Sequence, residues 1–214
     1  MLLLEGDLLQ FLDREAPRLV SEYFSRFYTG NFFHRLGGGG DAGPEANIIS
    51  STDLVAVSLL DVHVPGRAAL EILGPLSQRA TELLTDIPTG TSLEDADETL
   101  IADGSPADVL WHELHGLEGM GPTIVSKLMA RKRPQLIPIF DSVLKEALLP
   151  SEKNYWIRMR NELHQPEISS RLREVRLESR VGPEIPLLRI LDVCVWMRNR
   201  PKSTIKLGFR PRTR

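Results

Sequence analysis

Apolar residues recur at three- and four-residue spacing through most of the chain, the pattern of helices that bury one face. "GDLLQFLDREAPRLVSEYFSRFY" carries it. Pro17 divides that stretch into two helices, because a proline within a helix removes a backbone donor and clashes with the preceding turn. "STDLVAVSLLDV" opens on Ser/Thr caps and is almost wholly apolar, which predicts a central, buried helix. "GRAALEILG" and "LSQRATELLTDI" predict short helices separated at Gly74 and Pro75. "SLEDADE" predicts an acidic first turn, where a helix dipole favours carboxylates.

The second half repeats the pattern with clearer punctuation. "SPADVLWHELHG" has a serine cap, proline at the first helical position and glycine at the end. "PTIVSKLMARK", "DSVLKEALL", "SEKNYWIRMRNELH", "PEISSRLREVRLESRVG" and "IPLLRILDVCVWMR" each read as a helix. Residues 29–50 have no helical period and hold five glycines between Leu36 and Pro44. "GGGGD" (Gly37 to Asp41) lacks the Gly-Lys-Ser/Thr of a phosphate loop, so a mobile loop or lid is expected there. Alternation for a sheet is missing, although "IKLGF" near the end allows one short strand. The prediction is an all-α fold of about ten helices in a single domain spanning residues 1–214.

Composition narrows the classes. With 42% hydrophobic and 26% charged residues, the 214-residue chain has globular rather than disordered composition. Its one cysteine, Cys194, excludes a disulfide framework and any cysteine-ligated zinc or iron–sulfur site within the chain. "MLLLEGD" is too short an apolar run for a signal peptide or a spanning helix, so a soluble, cytoplasmic protein without membrane contact is expected. The net charge of −3 hides an asymmetry: seven cations and no acid lie between Arg198 and Arg214. The basic tail, residues 199–214, reads either as solvated surface or as a sequence-independent phosphate contact.

The candidate chemistry centres on "LEGMGPTIVSKL", Leu117 to Leu128. A helix, a tight turn and a second helix follow one another over residues 106–131. Gly119 and Gly121, flanking Met120, allow positive φ and close approach to the backbone. Amides of such a turn, at the positive end of the next helix, favour a phosphate. Lys127 and Arg131 are four apart and share a face, with Lys132 and Arg133 just beyond, so a DNA-backbone contact is expected from Gly119, Met120, Gly121, Thr123, Lys127 and Arg131. The other reading is an ordinary corner with a solvated basic face. Asp141 follows the buried, extended "LIPIF" and opens a helix, which makes it an N-cap whatever else it does.

This stretch resembles the hairpin of helix-hairpin-helix DNA-binding motifs. Its wider context is similar to the HhH-GPD superfamily of DNA glycosylases, where the hairpin is followed by an apolar stretch and an aspartate opening the next helix. Thr123 and Asp141 are eighteen positions apart, similar to the endonuclease III and MutY-like branch. Bifunctional members carry a Schiff-base lysine at the Thr123 position. The resemblance therefore implies a monofunctional glycosylase that binds double-stranded DNA mainly by its backbone. Asp141 would stabilise the cationic sugar of a flipped nucleotide and orient or deprotonate the attacking water. It implies no cofactor and no metal, and the one ion it allows is a monovalent cation at the hairpin. Glu146 stands where the superfamily often has an arginine. "GGGGD", "LVAVSLL" and "ARKRPQLIPIFD" also resemble segments of an uncharacterised bacterial family over nearly the whole chain.

Two further readings stay open: a DNA-binding module with no chemistry, and a protein–protein adaptor whose hairpin is only a corner. Elsewhere the signals are weaker. His112 and His115 share a helix face but lack a third ligand, and His34 and His63 stand alone. Tyr23, Phe24, Phe27, Tyr28, Phe32 and Phe33 cluster before the glycines, mostly as core, with room for one ring to stack on a base. The arginines between Arg158 and Arg180, interspersed with glutamates, read as a salt-bridged surface.

Overall fold

The computed structural model describes residues 5–148 and 155–200. Its regular elements are helical, and no strand occurs among the described residues. The chain starts with α1 (Glu5–Arg14) and α2 (Ala16–Glu22), divided where Pro17 was expected to divide them. A π-turn (Tyr23–Phe27) and three short 3₁₀ turns then lead to α3 (Ser51–Ser58). α4 (Gly66–Leu73), α5 (Ser77–Asp86), α6 (Pro106–His115) and α7 (Pro122–Lys132) follow. α8 (Ser142–Leu148), α9 (Tyr155–His164), α10 (Pro166–Glu178) and α11 (Leu187–Asn199) complete the domain.

One hydrophobic core runs through it, from Leu8 and Leu12 on α1 to Leu188, Val193 and Val195 on α11. α11 is buried nearly all round and packs against α2, α8 and α10. α7 packs against α3 on one side and α6 on the other. "IKLGF" and the tail beyond Arg200 lie outside the described residues, as do residues 1–4 of the N-terminal apolar run.

Three segments differ from expectation. α3 is not central: a capping box between Ser50 and Asp53 starts it, yet Val55 is 57% exposed. "SLEDADE" forms turns and one 3₁₀ turn rather than a helix start. Its polar side chains satisfy nearby groups instead: Ser92 donates to Asp95, and Asp97 accepts from the Thr99 amide and hydroxyl. Such local bonds compete with helix formation.

The third difference is the most consequential. Arg131, Lys132 and Arg133 were expected on a basic surface, but each is about 1% exposed. Arg131 donates Nε to Asp53 at 3.0 Å and its other two nitrogens to the carbonyls of Phe33 and Leu36. Lys132 donates to the Glu45 carbonyl at 3.0 Å and to Asp53 at 3.1 Å. Arg133 donates to the carbonyls of Ala46, Ile87 and Leu84 and to Asn47. The glycine-rich loop is therefore clamped to the end of α7, not a free lid. Gly40 lies so close that a Cβ there would overlap the Arg131 carbonyl, and Gly37, Gly38, Gly39 and Gly43 all take positive φ.

Asp53 is the carboxylate shared by Arg131 and Lys132. Removing it leaves two buried cations without their counter-ion, so Asp53→Ala should lower stability by about 3–5 kcal/mol. Urea unfolding monitored by circular dichroism checks this; a loss below about 1 kcal/mol, typical of exposed pairs, would contradict the clamp.

Candidate functional site

The hairpin forms as the sequence indicates. Ser105 caps α6 and Gly116 ends it. The chain then turns at Gly119, whose φ of 79° belongs to the left-handed region, and Gly121 caps α7 with Pro122 in its first turn. A Cβ at Gly119 would lie 2.8 Å from Pro65, whereas one at Gly121 would meet open space. Met120 is buried and anchors the turn.

The expected fan of outward amides is narrower than the sequence suggested. The Met120 amide donates to the Leu117 carbonyl at 3.0 Å and the Gly121 amide to Gly119 at 3.2 Å. Thr123, in the first turn of α7, keeps an amide that has no intrahelical acceptor. Arg131 is withdrawn from any DNA surface by the clamp described above. Lys127 is only 6% exposed and donates to the Leu60 carbonyl at 3.0 Å. Burial holds its pKa below the ordinary lysine value, against the opposing pull of Asp141. The exposed cation beside the hairpin is Arg67 of α4, paired with Glu118 at 3.1 Å.

Asp141 sits where the extended segment meets α8. Ser126 of α7 fixes that segment: its hydroxyl accepts from the Phe140 amide at 2.9 Å and donates to the Phe140 carbonyl at 3.1 Å. Tyr155 donates to the Ile139 carbonyl at 2.7 Å. Asp141 Oδ1 accepts the Leu144 amide at 2.9 Å, as a cap should, and Oδ2 lies 4.0 Å from Lys127 Nζ. Thr123, Lys127 and Asp141 thus share the wall of one cavity of about 360 Å³.

Of the rest of that cavity, the sequence picked out Tyr23 and Tyr28 as members of an aromatic cluster but not the residues of α11. α11 supplies Arg189, Asp192 and Trp196, and the π-turn region supplies Tyr23 and Tyr28. Tyr23 and Tyr28 stack with centroids 5.1 Å apart, and Trp196 meets both edge-on. Asp61, a non-glycine residue with φ of 60°, sits at the rim. Asp192 is 2% exposed, and its Oδ1 has no hydrogen-bond partner. Burial pushes its pKa up to about 7, although Arg189 and the Ile139 amide pull it down. The signal for it was an acid between Leu191 and Val193 in a largely apolar helix.

A family model described as a family of unknown function, DUF6308, matches residues 16–199. The chain belongs to that family. No curated protein and no solved structure matches it. The matched span contains the hairpin, Asp141, the clamp and α11, so every wall of the cavity falls within the family's extent.

The other candidates have plainer surroundings. His112 lies 3.4 Å from Asp108, and His115 stacks on Trp111. His34 is partly buried, and desolvation with three nearby arginines holds its pKa well below the usual histidine value. Phe33 is core and Phe32 is exposed, while the arginine-rich segment forms the expected ion pairs, Arg171 with Asp13, Glu174 and Glu178. Arg200, the first of the tail cations after Arg198, lies over Tyr28 and Trp196.

Two stability measurements check this geometry. Gly119→Ala forces an alanine into positive φ against Pro65 and should cost about 1 kcal/mol or more. Gly121→Ala should stay within about 0.5 kcal/mol. Equal losses at both positions would contradict the turn. Asp192 has a folded pKa raised from 3.8 to about 7, so its contribution to stability is fully present below pH 4 and lost as pH rises through 7. Melting curves from pH 4 to 8 should show wild type losing ground to Asp192→Asn across that window and no further above it.

Proposed function

We propose that the protein binds double-stranded DNA through the 119–123 hairpin and hydrolyses the N-glycosidic bond of a nucleotide flipped into the adjacent cavity. One observation carries this reading: Thr123 at the hairpin and Asp141, eighteen positions later, line the same cavity of about 360 Å³. That volume lies within the range of about 300–1,000 Å³ usual for ligand sites. The likeness of the hairpin and its aspartate to the HhH-GPD glycosylases supports the same assignment. The α6–turn–α7 arrangement and the all-helical fold accord with it.

Each residue has a physical role in this scheme. The Thr123 amide and hydroxyl, with the open face of Gly121, receive a phosphate flanking the flipped nucleotide. Arg67 supplies an exposed cation nearby. Breaking the glycosidic bond leaves positive charge on the sugar, and the Asp141 carboxylate stabilises it and accepts a proton from the incoming water. Lys127 Nζ lies 4.0 Å from the Asp141 carboxylate. Thr123 offers no amine, so no imine forms at that position and base release leaves the strand intact. Tyr28 and Trp196 supply aromatic surface for the extruded base.

The bond from the Leu144 amide to Asp141 also suits a second reading, in which the carboxylate is only a cap and the protein grips DNA without chemistry. Single-turnover base release from modified duplexes separates the two. Asp141→Asn should lower release by about 10²-fold or more while leaving DNA affinity within about twofold. Gly121→Glu, which adds a carboxylate in open space, should weaken binding by about tenfold at low salt without lowering the melting temperature. Binding without any base release would favour the second reading. Failure of wild type to bind duplex DNA at low salt would remove both.

A further inference from the structure

The fold buries two aspartates to the same degree, Asp53 and Asp192, each 2% exposed, and treats them oppositely. Asp53 has its charge met by Arg131 and Lys132 and by the Ser50 amide and hydroxyl. Asp192 has an Oδ1 left with no partner in the wall of the cavity. Arg189, one turn earlier on the same helix, does not close on it. Its Nη2 donates to the Tyr23 hydroxyl at 2.8 Å, its guanidinium lies over the Tyr23 and Phe33 rings, and its Nε is itself unpartnered. A carboxyl group buried in the wall of a cavity with one oxygen unpartnered, and with a nearby cation diverted elsewhere, suits a neutral acid better than a structural anion.

We propose that Asp192 is the general acid of the cavity, donating its proton to the nitrogen of the departing base while Asp141 acts from the hairpin side. The inference rests on the glycosidase reading and adds a second catalytic residue to it. As the carbon–nitrogen bond breaks, its electron pair goes to the base nitrogen, which takes the proton from Asp192. Water adds to the sugar carbon and gives a proton to Asp141. Transfer of that proton through solvent to Asp192 restores both groups. The net change is water plus nucleotide giving free base and an abasic sugar.

The environments divide the labour. Asp141 is capped by an amide and faces Lys127. Asp192 sits among Tyr23, Tyr155, Cys194 and Asp141, with Arg189 the nearby cation, and desolvation leaves it about half protonated at neutrality. Two carboxyl groups in one pocket with such different surroundings are suited to separate acid and base roles. The acid form is populated below about pH 7 and is lost above it.

The test uses the full chain and duplex oligonucleotides carrying uracil, an oxidised guanine, an alkylated purine or a mismatched adenine. For a duplex that releases its base, the single-turnover rate of wild type should fall as pH rises through about 7. Asp192→Asn keeps the shape of the side chain and should lower the rate at pH 6 by about 10²-fold. It should also abolish the alkaline fall and leave DNA affinity unchanged. A purine alkylated on its ring, which departs without protonation, should lose much less. Asp192→Asn within about twofold of wild type, with the alkaline fall retained, overturns the acid role while the glycosidase reading stands. A wild-type rate that stays level to pH 9 overturns it too, and needs no variant to fold. Base release from none of the duplexes removes the glycosidase reading and this proposal together.

Discussion

The clasp at the end of α7 is the interaction on which the rest of the structure depends. Three consecutive cations enter the interior, and what holds them is chiefly the backbone of residues 33–46 and of the end of α5, with one carboxylate, Asp53. Carbonyl dipoles carry much of the load that ion pairs would otherwise bear. A loop with five glycines has few side chains with which to build a core, so it borrows those of α7. In return, α7 is fixed against α3, and its N-terminal end, the hairpin, has a defined position relative to the loop. The cavity lies between these fixed parts.

The same logic separates the two faces of α7. Its C-terminal cations are committed to carbonyl groups, and Lys127 to Leu60 and Asp141, so the helix presents almost no free positive charge. Any grip on a polyanion must come from the hairpin itself and from its exposed neighbours such as Arg67. This changes how the site works: the helix after the turn supplies rigidity and lines the cavity, and electrostatic attraction is left to a few groups at the rim.

Much of the fold was legible in the sequence because helices announce themselves locally. Ser105, Pro106 and Gly116 bounded α6, and Asp141 capped α8 as its position indicated. The Thr123–Asp141 spacing was likewise a local feature and led to the cavity. What could not be read was partnership across long separations. Nothing in "ARKRPQ" shows that its cations meet carbonyls 46 to 98 residues earlier, and solvated lysines and arginines have the same letters as buried ones. Asp192 stayed hidden for the same reason: one acid in a largely apolar helix is unremarkable until the groups around it are known. "SLEDADE" misled in the other direction, because acids that favour a helix start also favour turns closed by their own side chains.

Ser126 illustrates what a single side chain can do in a protein whose described elements include no sheet. By taking the Phe140 amide and giving its proton to the Phe140 carbonyl, it supplies the pair of bonds that a neighbouring strand would offer. An extended segment is thereby docked on a helix without a ladder. Ser126 lies less than one turn beyond Thr123, and Phe140 directly precedes Asp141. The hairpin and the carboxylate are joined by a strut a few residues long, with a hydroxyl as its rivet. Their separation behaves as a fixed gauge: one residue added between Thr123 and Ser126 would rotate the two ends by about 100° relative to each other. The spacing of the cavity's walls at this end is set by that gauge.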